Sequence, residues 1–168
     1  MPNFFTRYRT NDVWNWDRRN ADSPIRHLAS SLFEQRGVLP GDHVYVVTIF
    51  RGVLYVLGKM IVGMVGDRDD AAAMLGCAPE ELWDTTDHII AEQATSKQFD
   101  LVVPHEITER LRFVSGDSTK GLFFRDNGFL DGQTLRGVRQ LTPESATLLD
   151  ALLPPLQKIE WHDEIHRS

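Results

Sequence analysis

Apolar residues run almost unbroken from Val44 to Val65, interrupted by Thr48, Arg51, Gly52 and Lys59. His43 to Phe50 holds Val44, Tyr45, Val46, Val47 and Ile49, a density of β-branched and aromatic side chains that predicts a strand. Arg51-Gly52 predicts a hairpin turn, and Val53 to Val65 its second arm. Gly58 and Gly63 inside that arm mark bulges or sharp bends, the device by which a sheet curls. A further strand pair is expected over His88 to Ala94 and Phe99 to Val103, with Thr95-Ser96-Lys97-Gln98 as the loop between them. Leu111 to Val114 makes another strand, and Ser115-Gly116-Asp117-Ser118 turns the chain toward Leu122-Phe123-Phe124. Asp131-Gly132 gives one more turn.

Helical periodicity is confined to short stretches. Ile25, Leu28, Leu32 and Phe33 fall on one helical face, with Ser23 as N-cap, Pro24 at the first helical position and Gly37 as the left-handed stop. Asp70 caps a short helix through Ala71, Ala72, Ala73 and Met74 that halts at Gly76, and Pro79 opens a turn toward Trp83. A helical turn spans His105 to Arg110. Thr142-Pro143-Glu144 starts a last helix whose face carries Leu148, Leu149, Leu152 and Leu153 before Pro154-Pro155. Asn3 to Asp22 shows neither period and reads as an ordered, irregular lead-in. The order of elements argues against alternating βαβ units and a parallel sheet. It predicts an α+β fold built on a small, mostly antiparallel, partly open β-barrel flanked by short helices. One domain is expected over residues 1–155, followed by a polar tail over 156–168.

Length and composition fit that picture: 168 residues, 42% hydrophobic and 25% charged, suit one packed core. No run approaches the roughly 20 apolar residues of a membrane span. The first seven residues lack the apolar segment of a secretory signal, and Cys77 is the only cysteine, so a cytoplasmic protein with no membrane partner is expected. The net charge of −6 disfavours a broad phosphate-tracking surface. Local basic spots remain, at Arg18 and Arg19 in the lead-in and at Arg136 and Arg139 near a turn. Acidic surplus gathers in Asp67 to Asp70, Glu80 to Asp87 and Glu160 to Glu164.

Gly41-Asp42-His43-Val44-Tyr45-Val46-Val47, followed by Leu54-Tyr55-Val56-Leu57-Gly58-Lys59-Met60, resembles the core hairpin of the PUA-like superfamily, whose relatives include the PUA, ASCH, EVE, YTH and SRA domains. Trp14 and Trp16 upstream of the Gly41-Asp42 turn are similar to the EVE arrangement in particular. The resemblance covers the order of elements over about residues 10–115 and implies a pseudo-barrel with a pocket at its mouth, walled by aromatics, that accepts a flipped or modified base. The acidic total charge and the absence of a basic strand face depart from it.

Several residues stand out chemically. Trp14 and Trp16 lie two apart, so in an extended segment both rings face one way and form a wall on which a base or a methylated group can stack. The same pair also suits plugging one end of the barrel. Arg18, Arg19, Arg136 and Arg139 suit phosphate oxygens, or serve as partners for Asp17, Asp131 and Glu144. Trp83 is expected to pack under the loop before Asp87, and Trp161 to dock the tail. Gly116 to Gly121 lacks the Gly-Lys-Ser/Thr step of a phosphate loop, and the segment from Asp67 lacks the glycine and glutamate of a calcium loop. His162 and His166 have the spacing of paired metal ligands, but at a chain end that makes a poor rigid site. Asp84, Asp87, His88 and Glu92 form the densest titratable cluster, with His105 and Glu106 the next, and no nucleophile motif stands beside either.

The reading taken is a ligand-recognition module for a nucleobase, in RNA, DNA or as a free base-like small molecule. The binding residues would be Trp14, Trp16, Arg18, Arg19, Arg136 and Arg139, with no catalytic residue, cofactor or metal. Two alternatives stay open. One is an interaction or regulatory protein that meets a protein partner through the acidic face or the C-terminal tail. The other is a hydrolase using Asp84, Asp87 and His88 on a nucleotide-like substrate.

Overall fold

The computed structural model describes residues 1–19 and 24–161. The expected strand β3 (His43–Phe50) is present and forms a hairpin with β4 (Val53–Gly66). Its turn has left-handed backbone at both Arg51 (φ 50°) and Gly52 (φ 76°), the geometry that matches strand twist in two-residue hairpins. Both predicted bends are register shifts. The β3–β4 pairing slips between Val46 and Val47, opposite Leu57 and Gly58, and the pairing of β4 with β5 (Asp87–Ala94) slips around Val62 and Gly63. At Gly58 a Cβ would run into Thr95 Oγ1 and within 3.2 Å of the Ser96 carbonyl. The close approach lets Thr95 bond the Lys59 amide through its hydroxyl (3.0 Å) and the Lys59 carbonyl through its own amide (2.9 Å).

The lead-in is regular, contrary to expectation. Residues Phe4–Tyr8 make β1, which runs parallel to β3 with Phe5 opposite Val44, and Asn11–Arg19 make helix α1. Thr10 caps that helix: its hydroxyl accepts from the Val13 amide at 3.4 Å. Asp12 in the first turn and Arg18 and Arg19 in the last oppose the helix dipole. The buried carboxylate of Asp42 ties the entry down, accepting from the amides of Asn3 and Leu39, each at 2.9 Å.

A second correction concerns the helix expected from Pro24 to Gly37. Residues His27–Ser30 are instead strand β2, paired antiparallel with β5, and turns follow to a left-handed Gly37; Ser23 lies outside the described residues. Ile25, Leu28 and Phe33 are all buried as the helical reading required. However, the open edge of β5 offers backbone partners that a helix there would leave unused. Residues 99–103 do not fold back on β5 either. They follow the free edge of β4, with amide-to-carbonyl bonds Gln98 to Leu57, Val56 to Leu101 and Val103 to Leu54.

After β4, helix α2 (Arg68–Leu75) is capped by Asp67, with Asp70 completing a reciprocal capping box, rather than by Asp70 alone. A 3-10 turn (Pro79–Glu81) follows. Helix α3 (His105–Thr108), strands β6 (Phe113–Ser115), β7 (Ser118–Lys120) and β8 (Val138–Leu141), helix α4 (Pro143–Asp150) and strand β9 (Gln157–Lys158) complete the chain. Thr142 caps α4 as expected. The strands order β2-β5-β4-β3-β1-β8-β6-β7, with β9 on β5. The protein is therefore α+β, with a mostly antiparallel nine-stranded sheet among the described residues and a few short helices. The sheet is open rather than closed.

Alternation along β3 sorts the core into two layers. Val44 and Val46 join Trp14, Leu57, Met60 and Ile89 on one face, while Tyr45, Val47 and Ile49 join Leu54, Phe113, Leu135 and Leu149 on the other. Helix α1 covers the first face and α4 the second. The beginning of the polar tail is held to the sheet: Ile159 is buried, and Trp161 donates its indole N–H to the Ala91 carbonyl at 3.0 Å. No helix among the described residues is long and apolar enough to cross a membrane.

Candidate functional site

Helix geometry separates the two lead-in tryptophans. Residues two apart on a helix point about 200° from each other, so Trp14 faces the sheet at 4% exposure and Trp16 faces outward at 54%. The single wall expected from an extended segment does not form; each indole lines a different recess.

Trp14 belongs to a cavity of about 220 Å³ between α1, the tip of the β3–β4 hairpin and the turn at Phe99-Asp100. Its ring meets Tyr55 and Phe99 edge-on, at centroid distances of 6.5 and 6.0 Å. The indole N–H donates to the Phe99 carbonyl at 3.3 Å, which locks the ring's orientation. Phe50, largely exposed at the hairpin tip, adds a further aromatic at the mouth, with the Arg51 guanidinium 5.1 Å from its ring centre. The polar lining comes from Asn11, Asn15, Thr48, Arg18 and Asp100. Asn11 donates its amide N–H groups to Thr48 Oγ1 (2.8 Å) and the Ile49 carbonyl (3.1 Å). Those bonds fix the amide so that its oxygen is left as an acceptor. Arg18 reaches Asp100 (2.8 Å) and the Phe99 carbonyl (3.1 Å) while lying over the Phe99 ring. One small recess thus combines aromatic faces, an oriented amide and a charged rim.

The other expected ligand-binding residues lie elsewhere. Arg19 is exposed at the end of α1. Arg139 donates to the Thr134 carbonyl (2.7 Å), packs 4.4 Å over the Phe113 ring, and lines a recess with Arg36 that shares no residue with the Trp14 cavity. Burial and the nearby Arg36 pull its guanidinium below the usual range. Arg136 is exposed beside the same segment. Two of the three carboxylates considered as arginine partners are otherwise engaged: Asp17 pairs with Arg9 and lies 3.8 Å from Lys97, and Asp131 lies 3.7 Å from Arg125. Tyr55, Phe50, Phe99, Asn11 and Asn15 were not picked out from the sequence. The Asn11–Asn15 spacing of four marks one helix face once Thr10 is read as a cap.

Asp84, Asp87 and His88 do not converge. Asp84 is exposed near Arg68, and Asp87 is buried as the acceptor for the Glu34 amide at 3.0 Å. His88 is fully buried and stacks on His27, with ring centres 5.0 Å apart. His88 Nε2 sits 3.2 Å from the Thr85 carbonyl and so carries the proton; its bare Nδ1 accepts from His27 Nε2 at 2.8 Å. Burial first, then His88 and Arg9, push His27 down to about 4. A histidine depressed in the folded state favours folding above its unfolded value and loses that contribution as pH falls through the folded one. Acidification from pH 6.5 to about 4 is therefore expected to cost up to about 3 kcal/mol through His27. Thermal melts of the protein and of His27→Gln across this range should diverge, the variant having the flatter profile.

Among the described residues no group of histidine, cysteine, aspartate and glutamate side chains could hold a metal ion; His162 and His166 lie outside them. Cys77, half-buried, has its thiol pushed up by burial and by Glu81, away from the reactive thiolate. Trp83, expected under a loop, is instead 59% exposed and lines a recess with Trp16 on the outer side of α1. Comparison of the chain with protein-family models, with curated proteins and with solved structures returns no match.

Proposed function

We propose that this protein is a recognition module that takes a single nucleobase, free or turned out of a strand, into the cavity between α1 and the β3–β4 hairpin. The observation that carries the reading is the composition of that cavity: Trp14, Tyr55, Phe99 and Phe50 around an oriented Asn11 amide. Drug-sized pockets run to roughly 300–1,000 Å³. A cavity of about 220 Å³ suits one ring system rather than a larger ligand. Aromatic faces stack on any base, and amides read its polar edge. A methyl group on the base adds apolar surface against the same rings, which favours a modified base. Arg18, at the rim and steered by Asp100, is placed to meet a phosphate on the attached sugar.

The PUA-like reading belongs with this proposal. The bulges at Gly58 and Gly63 curl the open sheet, and the cavity lies at the hairpin that carries the resemblance. Recognition is favoured over catalysis because Asp84, Asp87 and His88 point to separate structural partners.

Calorimetric titration of the full chain with adenosine, cytidine, N6-methyladenosine and 5-methylcytidine tests the proposal. At least one is expected to bind in a one-to-one ratio, with Tyr55→Ala weakening it about tenfold or more, the scale of losing one stacking partner. Trp83→Ala should leave it unchanged. No heat with any of the four, or affinity indifferent to Tyr55, would exclude the cavity as a base site.

A further inference from the structure

On the outer side of α1, Trp16 and Trp83 line a recess of about 550 Å³, with Val13 and Leu82 also in its wall. Both indoles are more than half exposed. Burying an indole would be strongly favourable, so two of them walling one recess at such exposure call for an occupant. The charges around the recess say which kind. Among the described residues Asp12, Glu81 and Asp84 line it against one cation, Arg68, while the adjoining recess on the inner side of the two indoles carries Arg9 and Lys97, which face Asp17, together with Arg26. Arg68 is engaged: Nη2 donates to the Leu82 carbonyl at 2.9 Å, and Nη1 lies 3.8 Å from Asp84. Beyond the rim, Asp67, Asp69, Asp70 and Glu80 are exposed on the same stretch of chain. An anionic ligand would meet repulsion here; a cation would gain from both the carboxylates and the negative faces of the rings.

We infer that the Trp16–Trp83 recess is a docking site for a basic protein segment, which inserts an arginine or lysine side chain between the indoles. The guanidinium or ammonium stacks on the ring faces and pairs with Asp84 and Glu81, while neighbouring basic residues run along the acidic rim. Indole stacking supplies the anchor, and the surrounding acids steer the approach. The site is separate from the Trp14 cavity, shares none of the described lining residues with it, and does not depend on what that cavity holds.

The test uses the full chain and three labelled probes read by fluorescence anisotropy: a short peptide alternating arginine with glycine, the same peptide with neutral citrulline for arginine, and an oligothymidylate. Trp83→Ala, at an exposed position, should keep the melting temperature of the parent. The arginine peptide is expected to bind and the citrulline peptide to fail. Trp83→Ala should weaken the arginine peptide about tenfold, the scale of losing an interface anchor, and Asp84→Asn, at a 94% exposed side chain, should weaken it at unchanged melting temperature. The inference is overturned if the arginine peptide does not bind, or if its affinity is the same in Trp83→Ala, which would mean charge alone holds it. Oligothymidylate binding that depends on Trp83 would also overturn it, by assigning the recess to nucleic acid.

Discussion

Trp14→Ala is expected to lower stability by about 3–5 kcal/mol, the range for removing a buried aromatic, and to abolish ligand binding in the adjoining cavity. The indole is 4% exposed, belongs to the same core cluster as Leu57 and Met60, meets the Tyr55 and Phe99 rings edge-on, and joins Arg18 in bonding the Phe99 carbonyl from α1. Losing it removes the buried aromatic anchor of that helix, leaving the polar bonds of Asn11 and Arg18, and takes away one wall of the cavity. A loss of that size takes a large share of the roughly 5–15 kcal/mol that holds a domain together. Trp14→Phe keeps a ring in place and should cost clearly less. Urea unfolding of the two variants checks the ranking; equal stability of both alanine and phenylalanine forms with the parent would contradict the packing described.

The second large effect lies on the opposite face. Lys59 is buried with a side-chain exposure of 7%, its ammonium 2.7 Å from Asp150 Oδ1 and 3.4 Å from the Tyr45 hydroxyl. Tyr45 donates to the same carboxylate oxygen at 2.7 Å. Burial first, then Asp150, pushes the phenol's ionisation well up, so it stays a donor. Asp150→Ala leaves a buried ammonium without its counter-charge, a defect worth about 3–5 kcal/mol when fully enclosed. Because the Asp150 side chain is 41% exposed, water relieves part of it, and a loss of about 3 kcal/mol is expected. Replacing both charges, Lys59→Met with Asp150→Leu, should recover most of that loss, since an apolar pair of similar size avoids desolvation altogether. Tyr45 would retain the Ala146 carbonyl at 3.5 Å. A double variant less stable than Asp150→Ala would show that the network does more than neutralise itself.

The hairpin of β3 and β4, both glycine bends, the α4 cap and the open turn chemistry were legible because they rest on local rules: strand formers, left-handed glycines and a threonine before proline. Three stretches were not. In residues 24–37 the spacing of Ile25, Leu28 and Phe33 fits a helix, and only Leu28 of the three lies in the strand, which is buried without alternation over Leu28, Ala29 and Ser30, so no period in the sequence marks it. The free edge of β5 decides, with partners such as Ile89 opposite Leu28. In the lead-in, Trp14-Asn15-Trp16 drew attention as an extended pair and hid the signal at Thr10-Asn11-Asp12. Reading that cap would have placed Asn11, Asn15 and Arg18 on one side of α1, facing the cavity. Tyr55 and Phe99 could not have been joined to Trp14 from sequence. Their meeting depends on residues 99–103 turning along β4 instead of β5, which follows from the Gly58–Thr95 contact. Of the six candidate ligand residues, Trp14 and Arg18 share the cavity, while Trp16 looks into the outer recess.

The claim that most depends on measurement is that the small aromatic cavity receives a base. The indole N–H of Trp14 reports on it directly, since its bond to the Phe99 carbonyl lies in the cavity wall. In ¹⁵N-labelled protein, with the four tryptophan indole resonances assigned by substitution, adding the tightest-binding nucleoside should shift the Trp14 signal while Trp83, across α1, stays still. A Trp14 resonance that does not move at saturating nucleoside, or one that moves only together with Trp83, would contradict the account.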